Sequence, residues 1–270
     1  MKYATRINSF LRFDSNLLNA FQSIGAIEGV DYVDLNYPEH FADYDIEVIK
    51  AKMEECGLKC NAINLRFRDK YIGGEFGNHE PSISQDAIAL CREAADACRR
   101  LGGNQMIIWL GFDGFDYSFQ IDYVSYWNRI VKAFRDVDRE NLGVTLDFCH
   151  MLMKKENPAF AAAWLLERGK LYNIHLNDGE GSTDDGLMVG TVNFWKTVEV
   201  MYYLKKYDFQ GVIYFDTFPK REKAVEECEA NIKMCRRIEQ LIDTYGLCRM
   251  EKVVEQNDAV AVSSMMVALL

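Results

Sequence analysis

Seven short runs of β-branched and aromatic residues, each followed by a stretch of helical hydrophobic period, recur along the chain, and this alternation limits the fold more than any other feature. Strands separated by helices need long crossovers, which set neighbouring strands parallel and lay helices over the sheet. The strand candidates begin near Ala4, Tyr32, Lys59, Asn104, Leu142, Leu171 and Gly211. Among the helices, one is marked by Ala87, Cys91, Ala94, Cys98 and Leu101 at steps of three and four, and it stops before Gly102 and Gly103. Another carries Val225, Cys228, Ile232, Cys235, Ile238 and Ile242 on one face. Two more are expected near 122–136, on Tyr123, Trp127, Ile130 and Phe134, and near 192–206, on Phe194, Val198 and Met201.

Polar side chains gather where the strands finish, in LNYPEH, LRFRDK, WLGFDG, LDFCH, HLND and FDTF. Barrels and open doubly wound sheets both assemble their sites on that rim. No GxGxxG or GxxxxGK[ST] follows the first strand, so the nucleotide-binding sheet gives way to a TIM-type (β/α) barrel. At 270 residues, with four prolines and no Ser/Gly-rich linker, one large domain is expected.

The 31 basic against 41 acidic residues give a formal charge of -10, which repels phosphate backbones and anionic lipid, so neither nucleic acid nor a membrane surface is expected as a partner. The apolar stretch from Ala259 to Leu270 is too short to span a bilayer and is interrupted by Ser263 and Ser264. The opening MKYATRINSFLRFD places charges where a signal peptide needs its apolar stretch, so a cytoplasmic protein is expected. The eight cysteines include no CxxC pair and several lie on apolar helix faces, which predicts buried, reduced thiols.

The densest chemical constellation is Asp147 and His150 after one strand, His175 and Asp178 after the next, and Asp216 after the last. Imidazole with carboxylates is a mixed nitrogen and oxygen donor set suited to Mn, Co, Zn, Fe or Mg. Each strand-end aspartate suits a helix cap equally well. Because positions two apart share a face of a strand, convergence of these groups does not follow from spacing alone. Further rim residues, Asn36, Glu39, His40, Arg66, Arg68, Trp109, Asp113 and Arg221, are of the types that bind sugar hydroxyls, although Arg66 and Arg221 can equally pair with rim carboxylates. His79 reads as a surface histidine, and the aromatic run Phe112, Phe115, Tyr117, Phe119 as a lid or wall.

With LNYPEHF, IIWLGFDGFDYSFQIDY, LGVTLDFCHMLMKKENP, IHLNDGEGSTDDGLMVGTVNFW and GVIYFDTFPKRE in order, the chain from about Thr5 to Asp243 resembles the sugar isomerase/epimerase superfamily of xylose-isomerase-like TIM barrels. Within it, the segments look most like a subgroup of sugar phosphate isomerase/epimerase proteins near the large subunits of C-glycoside deglycosidases. The resemblance implies a divalent-metal enzyme, with manganese foremost and Mg, Co or Zn as alternatives, that isomerises or epimerises a sugar or sugar phosphate through an enediolate. It implies Asp147, His175 and Asp216 as metal ligands and Asp216 and His150 as catalytic groups, and the rim residues Asn36, His40, Arg66, Trp109, Asp113, Asp178 and Arg221 are then expected around the substrate. Partners implied are a small-molecule sugar or glycoside and a homo-oligomer, with a small second subunit if the chain is a deglycosidase.

One departure stands out. FRDVDRENLG passes from the fourth helix to what matches the sixth strand, so the fifth βα unit of such barrels, which carries a metal-binding glutamate, is expected to be missing. A barrel that lost this ligand could also be a non-catalytic protein. Residues 1–247 are expected to form the barrel, with 248–270 a tail packed on it or on a partner subunit.

Overall fold

The computed structural model describes residues 1–12, 14–138 and 140–270. Among them the strands are β1 (Lys2–Arg6), β2 (Val30–Tyr37), β3 (Lys59–Leu65), β4 (Gln105–Ile108), β5 (Val144–Asp147), β6 (Leu171–Leu176) and β7 (Val212–Phe215). The helices are α1 (Ile7–Leu11), α2 (Leu17–Gly25), α3 (Ile46–Glu55), α4 (Pro81–Arg100), α5 (Tyr123–Val137), α6 (Phe148–Met153), α7 (Pro158–Glu167), α8 (Phe194–Lys206), α9 (Ala224–Tyr245), α10 (Leu247–Glu255) and α11 (Ala259–Leu269). Parallel strands joined by helices are the TIM-type α/β class expected of the alternation.

The chain divides into two compact units. The first comprises Met1–Phe13, Ala26–Val30 and Val144–Leu270. Its strands pair in parallel in the order β1-β7-β6-β5. All four residues of β7, VIYF, are buried, as befits a strand covered on both faces. On α9 the expected stripe is in place, with Cys228, Ile232, Cys235, Ile238 and Ile242 buried, and the helix stops at Gly246, whose φ of 94° suits glycine. α7 begins where Asn157 accepts the backbone N–H of Ala159 and Phe160 and Pro158 takes the first turn. The run ATRINSF is only partly strand: β1 ends at Arg6, and Ile7 and Phe10, three apart, are buried on α1. α10 and α11 pack on α9, and α11 buries Met265 and Leu269 while Val260, Val267 and Leu270 face solvent.

The second unit comprises Asp14–Gly25 and Asp31–Gly143. Here β2, β3 and β4 pair in parallel, with α4 packed on β3 and β4 and α5 packed on α4. Pro81 opens α4, whose buried face is Ala87, Ile88, Cys91, Ala94, Ala97 and Cys98. From the end of α5, residues 138–143 lead directly to Val144, and none of those described is in a strand. All eight cysteines are free thiols and six are buried. No helix among the described residues is long and apolar enough to cross a membrane.

Candidate metal centre

Strand register brings the first unit's polar ends together. Asp147 on β5 is the register partner of His175 on β6, and His175 is in register with Tyr214 on β7. Partners in adjacent strands point to one side of a sheet and alternate residues share a face, so Asp216, two beyond Tyr214, turns to the same side as Asp147 and His175. His175 Nδ1 lies 3.3 Å from Asp216 Oδ2 and 3.7 Å from Asp147 Oδ2. The three side chains are only 10–14% exposed.

Each carboxylate divides its two oxygens between scaffold and centre. Asp147 Oδ1 accepts the backbone N–H of His150 at 3.1 Å and so caps α6, while Oδ2 faces His175. The helix cap and the candidate ligand are thus one residue. Asp216 Oδ1 takes Arg6 Nε at 3.4 Å, leaving Oδ2 for the centre, and the Arg6 guanidinium lies 4.6 Å from the centroid of the Phe218 ring. His150, carried on the first turn of α6, places Nδ1 3.9 Å from Asp147 Oδ2 and Nε2 3.4 Å from Asp184 Oδ2. A second potential ligand group, Asp147, His150 and Asp184, therefore shares Asp147 with the first.

Burial alone would lower the pKa of His175, but the Asp147 and Asp216 carboxylates beside its Nδ1 outweigh it and raise the pKa to about 10. The hydrogen bond to Asp184 raises that of His150, more than burial lowers it. At neutral pH a proton thus sits on His175 between two carboxylates. Ligand atoms of Asp147, His175 and Asp216 all lie within 4.8 Å of one another. Two carboxylate oxygens and an imidazole nitrogen that gather around one proton suit a divalent cation in its place, and the donor set is of the kind that Mn, Co, Zn or Fe accepts.

Other side chains singled out in the sequence are engaged differently. Asp178, fully buried, accepts Gly179 N at 2.9 Å and Asn193 Nδ2 at 2.8 Å on Oδ1, and Val192 N and Asn193 N, both at 2.9 Å, on Oδ2. Its carboxylate is committed to the loop that also pairs Asp178 with Leu187. Asp178→Ala is accordingly expected to cost about 2–4 kcal/mol, read as a lowered urea midpoint, because buried N–H groups lose a charged acceptor. Arg221 is exposed, and its backbone N–H donates to Glu222 Oε2.

In the second unit, Asn36 and His40 are buried together, with His40 Nδ1 accepting the Asn36 N–H at 3.0 Å. The Arg66 guanidinium stands 5.2 Å from the ring centroid of Trp109, which is half exposed. Asp113 Oδ1 accepts from Tyr126 Oη at 3.4 Å. Arg68 pairs with Glu39. Buried Glu75 accepts Gly111 N and Phe112 N, with its pKa raised by burial.

Sequence reasoning missed Arg6, Asp184 and Asn177 beside the centre. Arg6 ends a strand as the other rim residues do, and Asp184 lies three residues before Leu187, the backbone partner of Asp178, in a segment with no periodicity.

A family described as Xylose isomerase-like TIM barrel matches residues 117–238. The chain is 23% identical over 252 residues to the xylose isomerase of Thermus thermophilus, covering 77% of this chain and 65% of that enzyme. The match spans under a quarter of the next xylose isomerases in length. Among solved structures, the apo 3-keto-D-glucoside 4-epimerase of E. coli has a TM-score of 0.67 at 18% identity, over 87% of this chain and 99% of that one. D-allulose 3-epimerase from Methylomonas sp. has a TM-score of 0.66 at 15% identity, over 88% and 98%. At such identities the structural likeness speaks for the fold, a TIM-type α/β barrel.

Proposed function

We propose, for a chain with the fold and part of the sequence signature of the xylose isomerase-like TIM barrels, that it is a divalent-metal-dependent isomerase or epimerase of a sugar or sugar phosphate. The observation that carries this reading is the convergence of Asp147 Oδ2, His175 Nδ1 and Asp216 Oδ2. These three side chains would hold the cation, manganese first. When bound, the cation supplies Lewis-acid polarisation of a carbonyl and an adjacent hydroxyl.

The chain's own residues set the rest. Arg6 fixes one oxygen of Asp216 and so aims the other inward. We read residues 138–143 as standing where such barrels carry a fifth strand and helix, so the second acid/base carboxylate has no counterpart there. His150 takes that part: it is partly exposed, adjoins Asp147 and, with its pKa raised by Asp184, is an imidazole placed to give and take a carbon-bound proton through an enediolate. Asp184 orients it. Trp109, Asn36, His40, Arg66 and Asp113 are proposed to bind sugar hydroxyls and the ring's apolar face. The chain is further proposed to work in the cytoplasm, and to do so as a homo-oligomer; the solvent-facing Val124 and Trp127 on α5 and Val260 and Val267 on α11 support the second of these. Light scattering on purified protein should then read a mass above that of one chain.

The test of the function is deuterium exchange. Manganese-loaded protein incubated in D2O with a panel of ketoses, aldoses and their phosphates is expected to label one substrate at a carbon next to the carbonyl, and metal-stripped protein to label none. A metal-loaded protein that labels no member of the panel would overturn the reading. His150→Gln is expected to lower the rate of labelling by about 10²- to 10³-fold while leaving the metal-dependent rise in Tm in place, because the side chain moves a proton and does not complete the ligand set.

A further inference from the structure

We propose that Asn177 is a positioning residue that sets the spacing of the three ligand-bearing strand ends and through it the affinity and geometry of the metal centre. This inference rests on the reading of Asp147, His175 and Asp216 as metal ligands. Asn177 follows β6 directly and stands two residues beyond His175. It is fully buried. Its Oδ1 accepts the backbone N–H of Cys149 at 3.0 Å, and its Nδ2 donates to the backbone carbonyl of Asp216 at 3.2 Å. One amide thus ties the residue two beyond Asp147 to Asp216 itself, across the strand that carries His175.

The place of this clip is where regular pairing gives out. The β6–β7 ladder ends with Leu176 opposite Phe215, and β5 pairs with β6 only as far as Asp147 and His175. Asp216 lies one residue beyond the last register pair of that ladder. The Asn177 side chain adds a bond to Asp216 at that point, and on the other side it meets the first turn of α6, where Asp147 already caps His150. Successive amides of that turn, Cys149 and His150, are held by Asn177 and Asp147 in turn.

The chemistry of the clip selects asparagine. Cys149 offers a donor and Asp216 an acceptor, so the side chain needs one acceptor and one donor at the end of a single methylene. Aspartate keeps only the acceptor and sets a charge against a carbonyl. Leucine has the same branching and neither function. Groups that orient ligands without touching the metal are worth about 10- to 100-fold in affinity.

The experiment is a cobalt(II) titration of the full chain, read by visible d–d absorption and by the rise in Tm, with Asn177→Leu, Asn177→Asp and, as a control for lost stability, Ile238→Ala on the buried face of α9. The expected result is a 10- to 100-fold weaker Kd for Asn177→Leu, a changed band position or intensity in both Asn177 variants, and wild-type values for Ile238→Ala. Asn177→Asp, which differs from asparagine by one terminal atom, keeps the test decisive if the leucine variant does not fold. Asn177 variants with wild-type bands and a Kd within twofold of wild type would overturn the proposal and leave Asn177 a merely structural residue. Wild-type protein that gives neither bands nor a shift in Tm would sink the metal reading itself, a separate failure visible before any variant is made.

Discussion

Asp147→Asn is expected to leave the chain folded and to weaken manganese binding by more than 100-fold, with turnover lost in proportion. The two oxygens of Asp147 separate these effects. Asparagine caps a helix about as well as aspartate, so the bond from Oδ1 to the His150 N–H has a replacement. The negative charge that Oδ2 directs at His175 and His150 has none. Loss of a direct ligand should exceed the about 10- to 100-fold that an outer partner is worth. Calorimetric titration with manganese reads the affinity, and circular dichroism with a urea series reads the fold. A variant that binds manganese as wild type does would remove Asp147 from the ligand set, and one that fails to fold would make the charge that Oδ2 sets against His175 and His150 a requirement of the fold itself.

The second large effect is one of pH. His175 must give up its proton for Nδ1 to bind a cation, and in the metal-free protein that proton is held to about pH 10. Between pH 6.5 and 8.5 the affinity for manganese should therefore rise about tenfold per pH unit, one proton being released for each ion bound. For stability the sign runs the other way. A histidine with a folded pKa above its unfolded value of about 6.5 stabilises the metal-free protein fully below pH 6.5, and that contribution is lost as the pH climbs through about 10. Metal-free protein should thus melt progressively lower from pH 7 to pH 9.5, and manganese-loaded protein should not follow it. Affinity that is flat with pH would mean that His175 is neutral before the ion arrives.

What was legible in the sequence was the strands and the larger helices, because buried parallel strands are written as apolar β-branched runs and their crossovers as stripes of period 3.6. The residues of the centre were also legible, as strand-end aspartates and histidines, but their convergence was not. Register decides it, and register here depends on an irregularity between Val144 and Thr145 that sets Asp147 opposite His175. A slip of one residue would turn Asp147 to the other face, and nothing in VTLD announces the irregularity. Asp178 and Asp216 look alike in sequence. Only the fold of the loop through Val192 and Asn193, fourteen and fifteen residues downstream, shows that Asp178 is taken up by backbone amides. Arg6 was hidden because ATRINSF reads as one strand, which places its rim end four residues too late.

The protonated His175 between Asp147 and Asp216 has a consequence for the order of assembly. A cluster of anions in a largely buried site would ordinarily wait for its cation before closing, as small zinc domains do. Here the chain carries a positive charge of its own between the carboxylates, so the metal-free protein would be able to close without a cation, and loading would then be an exchange of one ion for another in a finished cradle. Newly made protein would leave the ribosome complete in shape and undecided in metal, and which ion it ends up with would be settled by what its surroundings supply at the moment of exchange.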